Sequence, residues 1–77
     1  FDASISGMNN TGFFVSVENS GSEGLVHITS LKGEAFTFDG NKQQISNQQH
    51  TYHIGDHVSV VLKNVDLRSR KMSFEMA

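Results

Sequence analysis

The sequence has no cysteine and no proline among its 77 residues. Without cysteine the chain can form neither disulfide bonds nor thiolate metal sites, and a reducing compartment is allowed. Without proline, turns must be made by glycine, asparagine, aspartate and serine. Uninterrupted apolar runs, such as residues 60–62, are only two or three residues long. Because a transmembrane helix needs about 20 apolar residues, we expect no membrane-spanning segment and no membrane partner.

The chain is also short, and it has few charged residues, with six Lys or Arg and eight Asp or Glu. A domain of this size buries only about 60% of the surface that its unfolded chain exposes, which excludes a multi-domain enzyme with a large enclosed active site. The first residue is phenylalanine and residues 1–6 already alternate like a strand. We therefore expect residues 1–77 to be a single domain excised from a longer chain. The net charge is −2, yet three of the six cations lie within residues 68–71.

Alternation of apolar and polar residues predicts an all-β fold. Phe13, Val15 and Val17 lie on one face of a predicted strand, and a period of two is the signature of a half-buried strand. Five such segments occur, at 3–8, 13–18, 23–28, 57–65 and 72–76. Five short strands with one long connection between the third and the fourth match a five-stranded antiparallel OB-type barrel. An SH3-like barrel is the alternative.

The long connection, residues 29–54, exceeds the usual length of a structureless loop in a compact domain. Residues 28–31 are predicted to form a short helical turn. A hairpin is predicted at 36–45, since Asp39-Gly40 readily adopts the positive φ angles of a tight turn. We expect residues 32–54 to form an ordered insertion whose apolar side chains pack on the barrel. These side chains are Phe36, Phe38, Ile45 and Tyr52.

Phe14 is the first candidate for binding. It lies on the face of the second strand opposite Phe13 and Val15, where core packing does not explain an aromatic ring. Nucleobases stack on exposed rings, with ~1–3 kcal/mol per base in single-strand binders. Strand curvature that turns Phe14 under the insertion is the alternative. His27 is predicted to share this face, where it can stack on a base or bind a phosphate or sugar, unless it is only a solvated strand residue.

Charged residues mark the last predicted turn. They are Asp66, Arg68, Arg70 and Lys71. In the functional interpretation, Arg70 and Lys71 hold phosphates while Asp66 orients one of these cations, and arginine also offers a planar face for stacking. In the alternative interpretation the segment is a solvated turn that Asp66 initiates.

No catalytic or metal site is predicted. His50, His53 and His57 have the i, i+3, i+7 spacing of a helical metal site. However, Gly55-Asp56 would break such a helix, and no cysteine or carboxylate completes a tetrahedral ligand set. The sequence also has no nucleophile motif and no glycine-rich phosphate loop after a strand. We expect a domain that performs no chemistry itself.

Several blocks of the sequence resemble the S1 RNA-binding domain family. They are Gly12-Phe13-Phe14-Val15, residues 23–31, Gly55-Asp56, Val65-Asp66 and Arg70-Lys71. Their order and spacing cover nearly the whole chain, and the Glu-Gly-Leu-Val-His-Ile block is quite specific. The insertion up to residue 56 and the ending at 65–75 are similar to those of the C-terminal S1 domain in the ribonuclease II/R exoribonuclease family, most of all its bacterial ribonuclease R members.

The resemblance implies an OB-fold that binds single-stranded RNA without strong sequence preference, as an accessory domain of a cytoplasmic 3′-to-5′ exoribonuclease. The RNA contacts that it implies are Phe14, His27, Asp66 and Arg70. Thr11 departs from the family, which usually has an aromatic residue there, so one stacking platform is missing. The resemblance implies no cofactor in this domain, because the magnesium ligands of the parent nuclease belong to another domain.

The expected partners are therefore single-stranded RNA and the other domains of the parent nuclease. Two alternatives stay open. One is the same domain within another RNA-metabolism or translation protein, against which the long insertion counts. The other is a protein-interaction module on the same barrel. The salt dependence of RNA affinity separates RNA binding from protein docking, because phosphate contacts release counterions.

Overall fold

Short β-strands make up most of the computed structural model, which describes residues 1–31, 35–69 and 71–77. The strands are β1 Asp2–Asn9, β2 Gly12–Val17, β3 Glu23–His27, β4 Thr37–Asp39, β5 Gln44–Ser46, β6 Thr51–His53, β7 His57–Asp66 and β8 Lys71–Met76. A 3-10 helix at Ile28–Ser30 follows β3, where one helical turn was predicted. Among the described residues, no helix is long and apolar enough to span a bilayer.

Five strands close into a barrel in the order β1-β2-β3-β8-β7, which confirms the predicted five-stranded all-β barrel. The strands β1, β2 and β3 form an antiparallel meander, and β7 and β8 form an antiparallel hairpin. The barrel closes where β1 pairs antiparallel to β7 and β3 pairs parallel to β8. The parallel pair departs from the predicted all-antiparallel order. Its cause is the odd number of strands, because five strands in a closed barrel cannot alternate in direction all the way round.

The barrel core follows the predicted period of two. Phe13 and Val15 are fully buried, whereas Phe14 between them is 39% exposed, so the predicted register of β2 is correct. Along β8, Phe74 is buried, and Met72 and Met76 pack against the core as the same inward row. Burial of each such large apolar side chain contributes about 1.5–3 kcal/mol to folding.

The outer half of β7 carries a β-bulge that the sequence did not predict. Leu62 pairs with Phe74, but Asn64 pairs with Ser73, so Lys63 is an extra residue in β7 that no residue of β8 opposes in the strand register. A bulge of this kind bends a strand and changes the direction of the side chains that follow it.

The insertion forms a second sheet of three strands, in the order β4-β5-β6. Its first two strands are the predicted hairpin, and β6 was not predicted because three residues are too few to show alternation. Phe36 and Ile45 are buried, and the Tyr52 ring lies 5.2 Å from the Phe13 ring and 5.7 Å from the Phe36 ring. The described part of the insertion is therefore ordered and packs on the barrel, as expected.

The hairpin turn between β4 and β5 differs from the one predicted. The positive φ angle falls on Gln43, at +51°, rather than on the Asp39-Gly40 pair. Oδ1 of Asp39 accepts hydrogen bonds from the backbone N–H groups of Asn41 at 3.0 Å and Lys42 at 3.2 Å. This side-chain cap stabilises a longer turn, in which the left-handed residue comes last.

Candidate nucleic-acid interface

A groove of about 570 Å³ runs over the outer faces of β2, β3 and β8. Its lining residues are Asn9, Thr11, Phe14, Glu23, Gly24, Leu25, His27, Lys71, Met72 and Ser73. Three residues that the sequence singled out, Phe14, His27 and Lys71, therefore lie in one depression.

Phe14 stands in this groove with an open flank. On β2 it pairs with Gly7 of β1 on one side and with Leu25 of β3 on the other. Gly7 has no side chain, and even a Cβ there would lie 3.8 Å from Cδ2 of the Phe14 ring, which is ordinary contact. No described residue of the insertion lines the groove, so the insertion does not cover this ring. Phe14 is available for stacking.

His27 ends β3 on the same face as Phe14, as predicted. It is exposed and pairs with Gly12 of β2. A Cβ at Gly12 would overlap the carbonyl oxygen of Val26, so only glycine allows the two strands to approach this closely. The next amide, Ile28 N–H, donates to the Thr11 carbonyl at 2.8 Å, which fixes the turn beside the imidazole.

Asp66 is engaged in its own turn. Its Oδ1 accepts hydrogen bonds from the backbone N–H groups of Arg68 at 3.0 Å and Ser69 at 3.4 Å. Hydrogen bonds from the Ser69 hydroxyl and backbone, then from the Arg68 backbone, and the charge of Lys71 hold the pKa of Asp66 below its ordinary value. The carboxylate therefore initiates the turn in the way that the alternative interpretation describes. Its predicted role in orienting a cation that holds RNA phosphate stays a prediction.

The predicted basic residues separate in the structure. Lys71 opens β8 and lines the groove, opposite Asp66 of β7. Arg68 is exposed in the turn and does not line the groove. Arg70 lies outside the described residues. Phosphate binding by these cations stays a prediction.

The sequence interpretation missed Leu25, Ser73 and Glu23, which line the same groove. Alternation from His27 and Lys71 could have placed all three on the outer face. What the sequence could not give is the parallel pairing of Leu25 with Ser73, which makes them neighbours. Glu23 shows in addition that the groove is not uniformly basic.

The three spaced histidines do not converge. Nδ1 of His57 lies 2.9 Å from Oε1 of Glu18, and Nδ1 of His53 lies 3.8 Å from Oδ2 of Asp56. In residues 1–31, 35–69 and 71–77, no group of three or more His, Asp or Glu side chains is placed to hold a metal ion.

Known proteins are similar to this chain in sequence. Ribonuclease R of Escherichia coli is 33% identical over 78 residues, covering 99% of this chain and 10% of that protein. Ribonuclease R of Vibrio parahaemolyticus is 31% identical over 74 residues, covering 94% of this chain and 9% of that protein. The chain thus spans about a tenth of the length of these relatives.

Solved structures show the same fold. The apo form of Mycoplasma genitalium RNase R superposes on the whole chain with a TM-score of 0.92 at 23% identity, over 12% of its own length. The same protein in complex with ribose methylated single-stranded RNA gives the same TM-score. The family model of the S1 RNA-binding domain matches residues 1–77. The chain belongs to the S1 RNA-binding domain family.

Proposed function

We propose that this domain binds single-stranded RNA, largely independently of sequence, through the groove of β2, β3 and β8. The observation that carries the proposal is the exposed Phe14 ring in the same groove as His27 and Lys71. An open ring, an imidazole and a cation on one sheet face are the groups that single-strand binders combine.

Each group has a distinct role in this mechanism. A base stacks on Phe14, with Leu25 as an apolar neighbour on the next strand. Stacking tolerates every base because each has a π-face. Lys71 attracts phosphate, and the carboxylates of Glu23 and Asp66 near it restrict this to one local contact. His27 contacts the sugar or phosphate at the other end of β3.

We also propose that residues 1–77 are one S1-type domain of a cytoplasmic 3′-to-5′ exoribonuclease of the ribonuclease R type. Support comes from the relatives named Ribonuclease R, of which this chain matches about a tenth. The domain would grip RNA beside the other domains of that nuclease. Magnesium-dependent hydrolysis would belong to those domains, and none of the residues described above is proposed as a magnesium ligand.

Phe14→Ala should weaken RNA binding and leave the fold intact. Loss of a stacking platform costs ~1–3 kcal/mol of affinity. Replacement of an exposed side chain changes stability by about 0.5 kcal/mol or less. Titration of a short fluorescent oligoribonucleotide, with a thermal melt of each variant, measures both quantities. His27→Ala should behave likewise with a smaller effect.

Phe14→Leu and His50→Ala are the matched variants. Leucine keeps the apolar bulk but removes the ring, so Phe14→Leu should also weaken binding. His50 is exposed in the insertion and does not line the groove, so His50→Ala should bind RNA normally. The proposal fails if Phe14→Ala and Phe14→Leu both bind RNA with unchanged affinity, or if the domain melts while its folded fraction binds normally.

A further inference from the structure

The β7 bulge changes which side chains extend the groove face. With continuous alternation, Lys63 would oppose Ser73, and Asn64 would oppose Met72 on the inner face. With the extra residue at Lys63, Asn64 instead pairs with Ser73. Because Ser73 lines the groove and directly opposed residues share a face, Asn64 lies on the groove side of the sheet.

Asn64 completes a row of side chains across four neighbouring strands. Phe14 pairs with Leu25, Leu25 pairs with Ser73, and Ser73 pairs with Asn64. We call these four residues the cross-strand row. Its first half is apolar and its second half is polar and uncharged. Since neighbouring strands lie about 4.8 Å apart, Ser73 lies roughly 10 Å from Phe14 along the sheet.

The polar half of the row is free to bind a ligand. No other described residue forms a hydrogen bond with the Ser73 hydroxyl or the Asn64 amide. The nearby ammonium group of Lys63 lies 3.9 Å from a carboxylate oxygen of Glu75. Ser73 and Asn64 therefore offer neutral donors and acceptors beside the cation of the groove, since Lys71 lies two residues from Ser73 on the same face of β8.

We propose that Ser73 and Asn64 recognise the ribose 2′-hydroxyl and make this domain prefer RNA to DNA, an inference that rests on the RNA binding proposed above. A base stacked on Phe14 and Leu25 is held by its face, which leaves its sugar over the polar half of the row. The 2′-hydroxyl both donates and accepts a hydrogen bond, and so do serine and asparagine side chains. The adjoining phosphate is the ligand of Lys71, two residues along β8, so the neutral pair Ser73 and Asn64 is left for the sugar.

The test compares a fluorescent oligouridylate with the oligodeoxyuridylate of the same length, which differs from it only in the 2′-hydroxyl. The unaltered 77-residue chain should bind the RNA more tightly. One hydrogen bond corresponds to about a two- to tenfold change in affinity. Asn64→Ala and Ser73→Ala should each weaken RNA binding by that factor without changing DNA binding, and the double variant should lose the preference.

Asn41→Ala and Ser59→Ala serve as controls, because they replace the same two residue types at other sites. Asn41 lies in the exposed hairpin of the insertion, and Ser59 lies at an exposed position of β7 outside the groove. Neither should change the RNA-to-DNA affinity ratio. Thermal melts accompany each titration, and Asn64→Ala at its exposed position keeps the test decisive if Ser73→Ala loses stability.

Three results would overturn this inference: no preference in the unaltered chain, an unchanged ratio in both variants, or equal weakening of RNA and DNA. Each leaves the proposed RNA binding intact as long as Phe14→Ala still weakens it. Unaltered RNA binding by Phe14→Ala would instead contradict the proposed function itself.

Discussion

Gly24 has no side chain, and this allows β3 and β8 to lie close together. It is buried in β3, between the groove on one side and the Phe74 ring on the other. A Cβ at this position would overlap the Phe74 ring and lie 2.8 Å from the carbonyl oxygen of Met72. Both neighbours belong to β8, so the absence of a side chain at Gly24 sets how closely β3 and β8 approach.

Gly24→Ala should therefore destabilise the domain by about 1–3 kcal/mol, the usual cost of overpacking a core. Reduced flexibility of the unfolded chain favours alanine by only about 0.4–1 kcal/mol, so the overlap dominates. Gly7→Ala is the matched control, because its nearest contact is an ordinary 3.8 Å. Urea denaturation of both variants measures the difference. Equal stability of the two variants would mean that β8 can move away from β3 without cost.

Residue-level predictions from the sequence were correct wherever alternation alone decides. Phe13 is buried and Phe14 exposed because neighbouring residues on a strand face opposite sides. The face of Asn64 was not predictable in this way, because the extra residue at Lys63 reverses the alternation beyond it. Whether a strand contains a bulge depends on its pairing partner, which its own residues do not specify.

At the scale of a single element, the hairpin of β7 and β8 contributes a charged side chain to the groove. Lys71 lies in the groove, while Arg68 is exposed in the turn outside it. Asp66 opposes Lys71, and Glu23 lines the same groove, so two carboxylates surround this cation. Among its described residues, the hairpin therefore offers the groove one cation, Lys71, and we expect one local phosphate contact there.

Lys71→Ala should weaken binding to unrelated single strands by similar factors and lower the slope of log affinity against log salt by about 0.7, the value for one phosphate contact on a single strand. Titrations at several salt concentrations measure this slope. Lys42→Ala removes the same charge from the insertion hairpin, outside the groove, and should leave the slope nearly unchanged because exposed charges are screened over ~8–10 Å. Equal slopes in the two variants would contradict a phosphate contact at Lys71.

The elements themselves were only partly predictable. All five barrel strands and the insertion hairpin follow from alternation and turn residues, with ends that differ by one residue or so. The pairing of β3 with β8 was not predictable, because residues 25 and 73 are 48 positions apart in the chain and neither strand's own residues specify its neighbour. The candidate site was therefore found strand by strand, while its arrangement across strands required the structure.

At the scale of the whole molecule, both ends of the described chain lie against β7. The Phe1 amino group donates to the Val60 carbonyl at 2.7 Å, and the Ala77 amide donates to the Ser59 carbonyl at 3.0 Å. Residues 1 and 77 flank β7 on its two sides, so they are separated by about two strand spacings, roughly 10 Å. The groove lies on other strands and does not include either end.

A circular permutant should therefore fold and bind RNA with unchanged affinity. Its linker would be a short glycine-serine segment from Ala77 to Phe1, and its new ends would lie between Gly40 and Asn41, in an exposed turn. A second permutant opened between Val60 and Val61 interrupts β7 and should not fold. Circular dichroism and the RNA titration measure both outcomes. Failure of the first permutant to fold would show that the insertion turn must stay continuous.

The pairing of Leu25 with Ser73 has a consequence for how the RNA contacts and the fold depend on each other. The groove has one wall from residues 9–27 and another from residues 71–73, which lie 44 positions apart in the chain. Neither wall alone contains both the aromatic ring and the lysine, so the complete site exists only when the two walls are joined. A ligand that contacts both walls binds the closed barrel and not the unfolded chain. Such a ligand stabilises the barrel, so the melting temperature of the domain rises with ligand concentration. If RNA binds as proposed, opening of the seam between β3 and β8 would separate Lys71 from Phe14 and His27 and weaken the grip on the RNA.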